Sequence, residues 1–222
     1  MDSRQQQMQL WLDQVLPQAA AALGWTDLPA GVLSAASADA SFRRYFRWQA
    51  GERSLIVMDA PPEHENTEPF VRITRLLQDA GVRVPRLFAE DLPQGFLLLE
   101  DMGAKTYLQT IEQGVAPAEL ERMFAAAITS LIRWQLASRP GVLPDYDEAV
   151  LRRELALFPD WYVGRERGRS LSAEEQSLWD QVQALLLDSN LGESRVYVHR
   201  DYMPRNLMTA EGEPGVLDFQ DA

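Results

Sequence analysis

The chain lacks cysteine entirely and carries a single lysine and two histidines among its 222 residues. Without cysteine, a disulfide framework and thiol chemistry are both excluded. A metal site must therefore use oxygen ligands or a histidine, a set that suits Mg²⁺ better than zinc. Long apolar runs and a signal peptide are also missing, so we expect a soluble cytoplasmic protein with no membrane partner.

The charge balance is acidic, with 33 Asp and Glu residues against 21 Lys and Arg residues and a formal net charge of −12. Nucleic-acid phosphates attract basic surfaces, so this balance argues against nucleic acid as a partner. Hydrophobic residues make up 46% of the chain, enough to bury a substantial core. At a usual domain size of about 100 to 200 residues, the length allows two lobes.

The most specific pattern lies near the C-terminus, in H-R-D-Y-M-P-R-N at residues 199–206 and V-L-D-F-Q at residues 216–220. Phosphoryl transfer from Mg-ATP to an alcohol needs one carboxylate that accepts the hydroxyl proton and oxygen ligands that hold the metal against the phosphates. We interpret Asp201 as this base, and Asn206 with Asp218 as the metal ligands. The alternative is an ordinary hairpin whose Asp and Asn residues serve turns.

The residues around this loop predict a rigid setting for it. Apolar, β-prone runs at 196–198 and 216–217 predict flanking strands, and residues 212–215 form a hairpin turn signal. His199 opens the loop, where a histidine usually orients the backbone by hydrogen bonding. Asp201 is therefore the better candidate for the base.

The chain resembles the aminoglycoside phosphotransferase-like kinases, which share the protein-kinase architecture and phosphorylate small molecules. Within that family it is most similar to bacterial anomeric sugar kinases that act on N-acetylmuramate and N-acetylglucosamine. Besides the catalytic loop, the segments that carry the resemblance are A-S-F-R-R-Y-F-R (40–47), V-M-D-A-P-P-E (57–63), L-L-L-E-D-M-G (97–103) and L-D-F-Q-D-A (217–222).

The resemblance implies an α+β fold of the bilobal protein-kinase-like type. A small lobe, residues 1–102, would combine an N-terminal helix with a nucleotide-binding antiparallel sheet and a further helix. A mostly helical large lobe, residues 103–222, would carry the catalytic loop and the metal site. The chain stops directly after the second metal-ligand segment, so we expect this large lobe to be truncated at its C-terminus.

Hydrophobic periodicity agrees with such a chain of elements. Ser172 and Glu175 are placed to form a capping box at the start of the last predicted helix. The predicted helices cover residues 7–23, 67–80, 105–113, 117–137 and 172–187, and the predicted strands of the small lobe cover 32–36, 42–48, 54–58, 86–90 and 96–100.

Part of the implied nucleotide site is formed by backbone groups. By resemblance, the carbonyl of Glu100 and the N–H of Met102 would bind the adenine edge in the hinge between the lobes. A turn of small residues at 37–41 stands where a glycine-rich phosphate loop would lie. Because the turn contains no glycine, contacts there would use Ser41 or backbone N–H groups.

The implied site departs from the kinase pattern in one respect, because the third strand, residues 55–59, has no lysine. Lys105 lies beyond the hinge. Arg43 and Arg44 on the preceding strand are the best substitutes, since a guanidinium forks onto phosphate oxygens. Neighbours on a strand face opposite sides, so only one is expected to reach the nucleotide, and Arg44 is favoured. Glu68 is a candidate partner for whichever arginine binds the phosphates, although an acidic residue near a helix start more often offsets the dipole.

The acceptor pocket is the least defined part of the site. Residues 147–163 mix aromatic and charged side chains that suit a sugar, because flat rings stack on pyranose faces and charged groups bind hydroxyls. Glu154 and Trp161 are the leading candidates, and Arg205 is a third. Helix packing explains the residues of this segment equally well.

These observations predict an ATP- and Mg²⁺-dependent kinase for a small amino sugar, acting on the anomeric hydroxyl of N-acetylmuramate or N-acetylglucosamine in cell-wall sugar recycling. One alternative is a kinase for another small alcohol, such as an aminoglycoside, choline or a different sugar. Another is a catalytically silent nucleotide-binding module, suggested by the missing lysine and the abrupt end. No pattern in the chain predicts an oligomeric state.

Overall fold

The computed structural model describes residues 3–38 and 42–222 of the chain, without the side chains of residues 37 and 38. It divides into two compact units, Met1–Leu136 with His199–Ala222, and Ala137–Val198. The elements of the first unit are α1 (Ser3–Ala22), β1 (Val32–Ala38), β2 (Arg44–Ala50), β3 (Arg53–Asp59), α2 (Glu68–Asp79), β4 (Leu87–Asp91), β5 (Phe96–Glu100), α3 (Tyr107–Glu112) and α4 (Pro117–Leu136). The second unit holds α5 (Glu148–Leu157), a π-helical segment (Phe158–Glu166) and α6 (Ala173–Leu191), and the chain returns to the first unit with a 3-10 turn (Pro204–Asn206), β6 (Leu207–Met208) and β7 (Gly215–Val216).

The first five strands form one antiparallel sheet in the order β1-β2-β3-β5-β4. This arrangement of an antiparallel sheet followed by helices confirms the predicted α+β class. Each predicted strand of the sheet is present, with its ends shifted by a few residues at most.

The two faces of the sheet differ in what they contact. Side chains alternate along a strand, so every second residue of β2 and β3 lies on one face. One face packs on α1 and forms a hydrophobic core with it. That core consists of Met8, Trp11, Leu12, Leu16 and Ala19 from α1 together with Trp48, Ala50, Leu55, Val57, Phe96 and Leu98 from the strands.

The opposite face of the sheet borders a cavity, to which Tyr45, Arg47, Ile56 and Leu99 contribute side chains. Burying one face under a helix leaves the other free to carry polar groups, and Tyr45 and Arg47 are two such residues. Which face a strand residue occupies therefore decides whether it can reach the cavity.

Helix α2 begins at Glu68, with the backbone N–H of Glu68 donating to the Asn66 side chain at 3.0 Å. Thr67, the N-cap residue, makes no side-chain cap bond. The side chain of Asn66 therefore supplies the bond that Thr67 does not make. The Phe70 ring packs against Phe219 with ring centroids 5.0 Å apart, which ties α2 to the segment just after β7.

In the second unit, α6 starts with the capping box predicted from the sequence. The backbone N–H of Glu175 donates to the Ser172 hydroxyl at 3.2 Å, and the N–H of Ser172 donates to the Glu175 carboxylate at 2.9 Å. Arg169 binds the same carboxylate at 2.7 Å. These bonds lower the pKa of Glu175 to about 2, with the Arg169 hydrogen bond as the largest cause.

The strand predicted at residues 196–198 is wrong, because the backbone there has no strand pairing. The N–H of Tyr197 donates instead to the Ser138 hydroxyl at 2.7 Å. A β-prone run forms a strand only where a neighbouring strand offers its backbone groups, and here a side chain takes that role.

None of the helices in the described ranges combines the length and the apolar character that crossing a bilayer requires.

Candidate active site

Asp201 and Asn206 precede the hairpin β6–β7, and Asp218 follows it, two residues after β7. The side-chain amide of Asn206 donates to the backbone carbonyl of Asp201 at 3.0 Å and to the Asp218 carboxylate at 3.1 Å. The Asp201 side chain itself is exposed to solvent. The amide of Asn206 thus joins the backbone at Asp201 to the carboxylate of Asp218.

Asp218 has an unusual backbone conformation, with φ at +61°. Non-glycine residues in this left-handed region are uncommon, and such strain tends to occur at functional sites. The backbone is held in place on the preceding side, because the N–H of Leu217 donates to the carbonyl of Asn206 at 2.9 Å. Gln220 donates to the second Asp218 oxygen at 2.8 Å, so both oxygens accept an amide N–H.

His199 makes a hydrogen bond to the backbone of the kind that the predicted orienting role requires. Its ring is only 3% exposed, and its Nε2 lies 3.0 Å from the carbonyl oxygen of Leu217. Because a carbonyl only accepts, Nε2 carries the proton. Burial lowers the pKa of His199, an effect that the bond to Leu217 partly opposes, so the ring is neutral at pH 7. A buried, neutral histidine that is bonded to the residue just after β7 is not placed to take a substrate proton.

Replacing His199 tests this role. Leucine leaves the partly buried Leu217 carbonyl without its donor, which should cost about 1 to 3 kcal/mol of unfolding free energy. Glutamine has an Nε2 donor that can reach the same carbonyl and should cost less. Urea unfolding of both variants measures the difference. Equal losses for leucine and glutamine would show that the hydrogen bond is not what the histidine supplies.

The loop is also anchored on its other side by Tyr202. Its hydroxyl donates to the backbone carbonyl of Ala127 in α4 at 2.7 Å. Burial raises the pKa of Tyr202 to about 12, so this hydroxyl keeps its proton at any physiological pH. The chain around Asp201 is thereby fastened to both a helix and the hairpin.

A cavity of about 510 Å³ opens beside these residues, entirely within the first unit. Asn206 and Asp218 line one part of it, and Glu100 and Met102 line another. Four of the residues predicted for the metal and the nucleotide therefore border one cavity. The described lining residues are Ala36, Tyr45, Arg47, Ile56, Phe70, Pro85, Leu99, Glu100, Asp101, Met102, Gly103, Ala104, Thr106, Gln109, Arg205, Asn206, Met208, Leu217 and Asp218.

Met102 is packed against the hairpin that carries the metal-ligand candidates. A Cβ atom added to Gly215 would lie 2.4 Å from the Met102 methyl carbon and 2.7 Å from its sulfur. The absence of a side chain at Gly215 is therefore what lets Met102 lie over β7.

The two arginines proposed as lysine substitutes lie in different surroundings. Arg44 pairs with Asp59 at 2.5 Å on the face that packs on α1, and Arg4 of α1 binds the same buried carboxylate. Arg43 contacts Tyr45, a cavity-lining residue, and pairs with Glu65 at 3.2 Å. Of the two, Arg43 is thus the one next to the cavity face.

The other predicted contacts fall in three places. Arg205 lines the cavity. Glu154 and Trp161 lie in the second unit, where Trp161 is 54% exposed on the π-helical segment and the Arg165 guanidinium lies 3.9 Å from its ring. Ser41 lies outside the described residues.

Sequence reasoning missed two residues that the structure brings to this site. Arg47 lines the cavity and binds Asp101. Asp101 stands between Glu100 and Met102 in the linker after β5, residues 100–103. Glu65, rather than Glu68, is the carboxylate beside Arg43. The alternation of Arg43, Tyr45 and Arg47 along one strand was the available signal for Arg47, but nothing local indicates which face borders the cavity.

The oxygen donors at the hairpin suit Mg²⁺. A carboxylate from Asp218 and an amide oxygen from Asn206 are hard ligands of the kind this ion prefers. Across residues 3–38 and 42–222, no three Asp, Glu, His or Cys side chains gather into a metal cluster. A magnesium ion at this position would therefore be held by these two residues together with nucleotide phosphates, and their role as ligands stays a prediction.

Two curated bacterial proteins named N-acetylmuramate/N-acetylglucosamine kinase are similar to the chain over its whole length. The protein from Pseudomonas aeruginosa is 55% identical over 221 residues, and the one from Pseudomonas putida is 51% identical over 221 residues. Each match covers 100% of this chain, which spans 64% of the relative's length.

Solved structures with a similar backbone have the protein-kinase-like fold. Aminoglycoside phosphotransferase APH(2'')-Ib, bound to ADP, matches with a TM-score of 0.60 at 12% identity, over 94% of this chain and 70% of its own. Choline kinase LicA from Streptococcus pneumoniae matches with a TM-score of 0.56 at 14% identity, over 93% of this chain and 68% of its own. At such identities the likeness shows the fold.

The sequence profile described as APH, phosphotransferase enzyme family, matches residues 32–222. That range includes the sheet, the linker and the hairpin around the cavity. Given the extent of this match and relatives at 55% and 51% identity, the chain belongs to the APH phosphotransferase enzyme family.

Proposed function

We propose that the chain is an ATP- and Mg²⁺-dependent kinase that phosphorylates the anomeric hydroxyl of N-acetylmuramate or N-acetylglucosamine, for cell-wall sugar recycling in the cytoplasm. The observation that carries the proposal is the grouping of Asp201, Asn206 and Asp218 beside the cavity. The choice of acceptor rests on the names of the relatives at 55% and 51% identity.

In the proposed reaction, Asp201 accepts the proton of the acceptor hydroxyl. The hydroxyl oxygen forms a bond to the γ-phosphorus while the bond from that phosphorus to the β-phosphate oxygen breaks, so the products are a sugar 1-phosphate and ADP. Bound Mg²⁺ neutralises charge on the phosphates, and Asn206 and Asp218 are the residues that would hold it. The exposure of Asp201 supports its role, since a base must be open to the acceptor.

The proposed nucleotide contacts follow the cavity lining. The backbone carbonyl of Glu100 and the N–H of Met102 would bind the adenine edge. Arg43, supported by Glu65, is the stronger candidate for the cation that replaces the missing lysine, because Arg44 pairs with Asp59 on the α1 face. Ser41 stays a candidate from the sequence alone.

Acceptor binding is proposed for Arg205, Glu154 and Trp161. Arg205 has the support of its place in the cavity lining, whereas the other two rest on the chemistry of aromatic and charged groups toward sugars. The division into a nucleotide-binding lobe of residues 1–102 and a catalytic lobe of residues 103–222 also stays a prediction, as does the absence of a nucleic-acid partner.

Phosphorus NMR tests the function directly. The chain is incubated with Mg-ATP and either N-acetylmuramate or N-acetylglucosamine, with choline as the alternative acceptor. A chain extended to the length of the curated relatives is run in parallel. A new sugar 1-phosphate signal that depends on the sugar supports the proposal. A choline phosphate signal, or ATP that stays intact with every acceptor in both chains, overturns it.

A further inference from the structure

The linker after β5 is held by an arginine of β2, which lies two strands away in the sheet. Arg47 of β2 forks onto the Asp101 carboxylate, with Nε donating to Oδ2 at 2.6 Å and Nη2 donating to Oδ1 at 3.0 Å. The same Nη2 donates to the backbone carbonyl of Gly103 at 3.0 Å. We call this set of contacts the Arg47–Asp101 latch.

The latch binds the backbone of Gly103 on both of its polar groups. Asp101 Oδ1 accepts the Gly103 N–H at 3.0 Å, while Arg47 donates to the Gly103 carbonyl. Gly103 has φ at +96°, which glycine adopts readily. Because glycine also adopts many other backbone conformations, it would by itself leave the linker free to take other shapes. Satisfying both groups from side chains therefore selects one shape for residues 100–103.

The surroundings make this ion pair stronger than an ordinary surface pair. The Asp101 side chain is 5% exposed and the Arg47 side chain 27%. Two-pronged, partly desolvated arginine–carboxylate pairs fix geometry as well as adding energy, whereas exposed pairs contribute little. Arg47 and Asp101 also both line the cavity, as do Glu100 and Met102 on either side of Asp101.

We propose that Arg47 is a positioning residue for the nucleotide: through Asp101 and Gly103 it holds the linker in the shape that presents the Glu100 carbonyl and the Met102 N–H to the base. The inference rests on the proposed function, because it assigns these backbone groups to adenine. Binding to a preformed linker avoids the entropy of ordering it, so the latch raises nucleotide affinity without touching the phosphates.

The test is nucleotide affinity measured by titration calorimetry on the intact chain, with Mg-ATP and with adenosine as separate ligands. For Arg47→Met we expect Kd to rise by about 10-fold for both ligands, which is the effect of losing about 1.4 kcal/mol of preorganisation. Arg47→Lys keeps the charge without the fork and should give a smaller loss. With saturating ATP, kcat of Arg47→Met should stay within about 2-fold of the parent value, because the latch does not contact the transferring phosphate.

Arg53→Met is the matched control. Arg53 on β3 also pairs with an aspartate and a backbone carbonyl, donating to the carbonyl of Asp27 at 2.5 Å and to its carboxylate at 2.8 Å. Its side chain is 31% exposed, close to the value for Arg47, and it does not line the cavity. The Kd values for Mg-ATP and for adenosine should both stay unchanged in Arg53→Met. Thermal unfolding of Arg53→Met and Arg47→Met compares how much each substitution destabilises the fold.

A coupling measurement completes the test. Asp101→Asn should raise Kd as Arg47→Met does, and the double variant should lose no more than either single one, because both remove the same latch. If the two single losses of nucleotide-binding free energy add up in the double variant, the inference is overturned. If Arg47→Met loses affinity for Mg-ATP but not for adenosine, the inference is also overturned, since Arg47 would then be a phosphate ligand. If the parent chain binds ATP and Arg47→Met binds equally well, this inference alone fails; if the parent binds no ATP, the proposed function fails first.

Discussion

Asp201→Asn should lower kcat by about 100-fold or more, the usual scale for losing a general base, while the affinity for ATP stays near that of the parent chain. Asparagine has nearly the shape of aspartate but cannot accept a proton. The bond from Asn206 goes to the backbone carbonyl of residue 201, so the substitution leaves the loop geometry in place. Steady-state ADP release measures kcat, and calorimetry measures ATP binding.

A second acidic residue serves as the control for the change in charge. Glu211 lies exposed in the turn between β6 and β7, on the same hairpin as Asp218. Glu211→Gln removes one negative charge near the site and should leave kcat within about 2-fold of the parent value. Unchanged turnover in Asp201→Asn would remove Asp201 from the mechanism. A similar loss in Glu211→Gln would attribute the effect to the electrostatic field of the hairpin.

Gly95→Ala should cost about 2 to 5 kcal/mol of unfolding free energy, combining left-handed strain with overpacking. Gly95 sits in the turn between β4 and β5 with φ at +72°. A Cβ atom there would lie 1.8 Å from the backbone oxygen of Ala60, which no rotation of a side chain relieves. The Gly95 carbonyl also accepts the N–H of Ala60 at 2.9 Å, so moving apart breaks a hydrogen bond.

Gly51→Ala separates these two contributions. Gly51 lies in the β2–β3 turn with φ at +64°, and a Cβ atom added there meets nothing within 4 Å. Only the conformational strain remains, for which we expect a loss of about 1 to 2 kcal/mol. Urea unfolding of the two variants gives the difference, which measures the clash with Ala60. Equal losses at the two turns would contradict a steric role for the close approach.

The loop proposed to be catalytic illustrates what local sequence can predict. Asp201 and Asn206 are five positions apart in a short loop, so their separation is limited by the chain itself and a motif can specify it. The Ser172–Glu175 capping box is confirmed for the same reason, since its partners are three residues apart. The strands of the main sheet were found because short apolar, β-prone runs between turn signals mark them locally.

The predictions that depended on distant partners did less well. The strand at residues 196–198 was wrong because strand formation needs a neighbour that the local pattern does not specify. Alternation showed that Arg43 and Arg44 face opposite sides of the sheet, but not which side borders the cavity. That depends on where α1 packs, and α1 covers the face that holds Arg44 and Asp59.

The sequence by itself determined the order of the sheet-forming strands along the chain and the loop that joins Asp201 to Asn206, because these depend on local patterns and spacing; its motifs gave the α+β class through the family resemblance. Only the tertiary structure decided which face of the sheet is polar, that Glu65 pairs with Arg43, and that Arg47 reaches Asp101 across 54 positions of sequence. The physical reason is that such contacts are set by the packing of a helix on one face of a sheet, which brings distant residues together without leaving a local pattern.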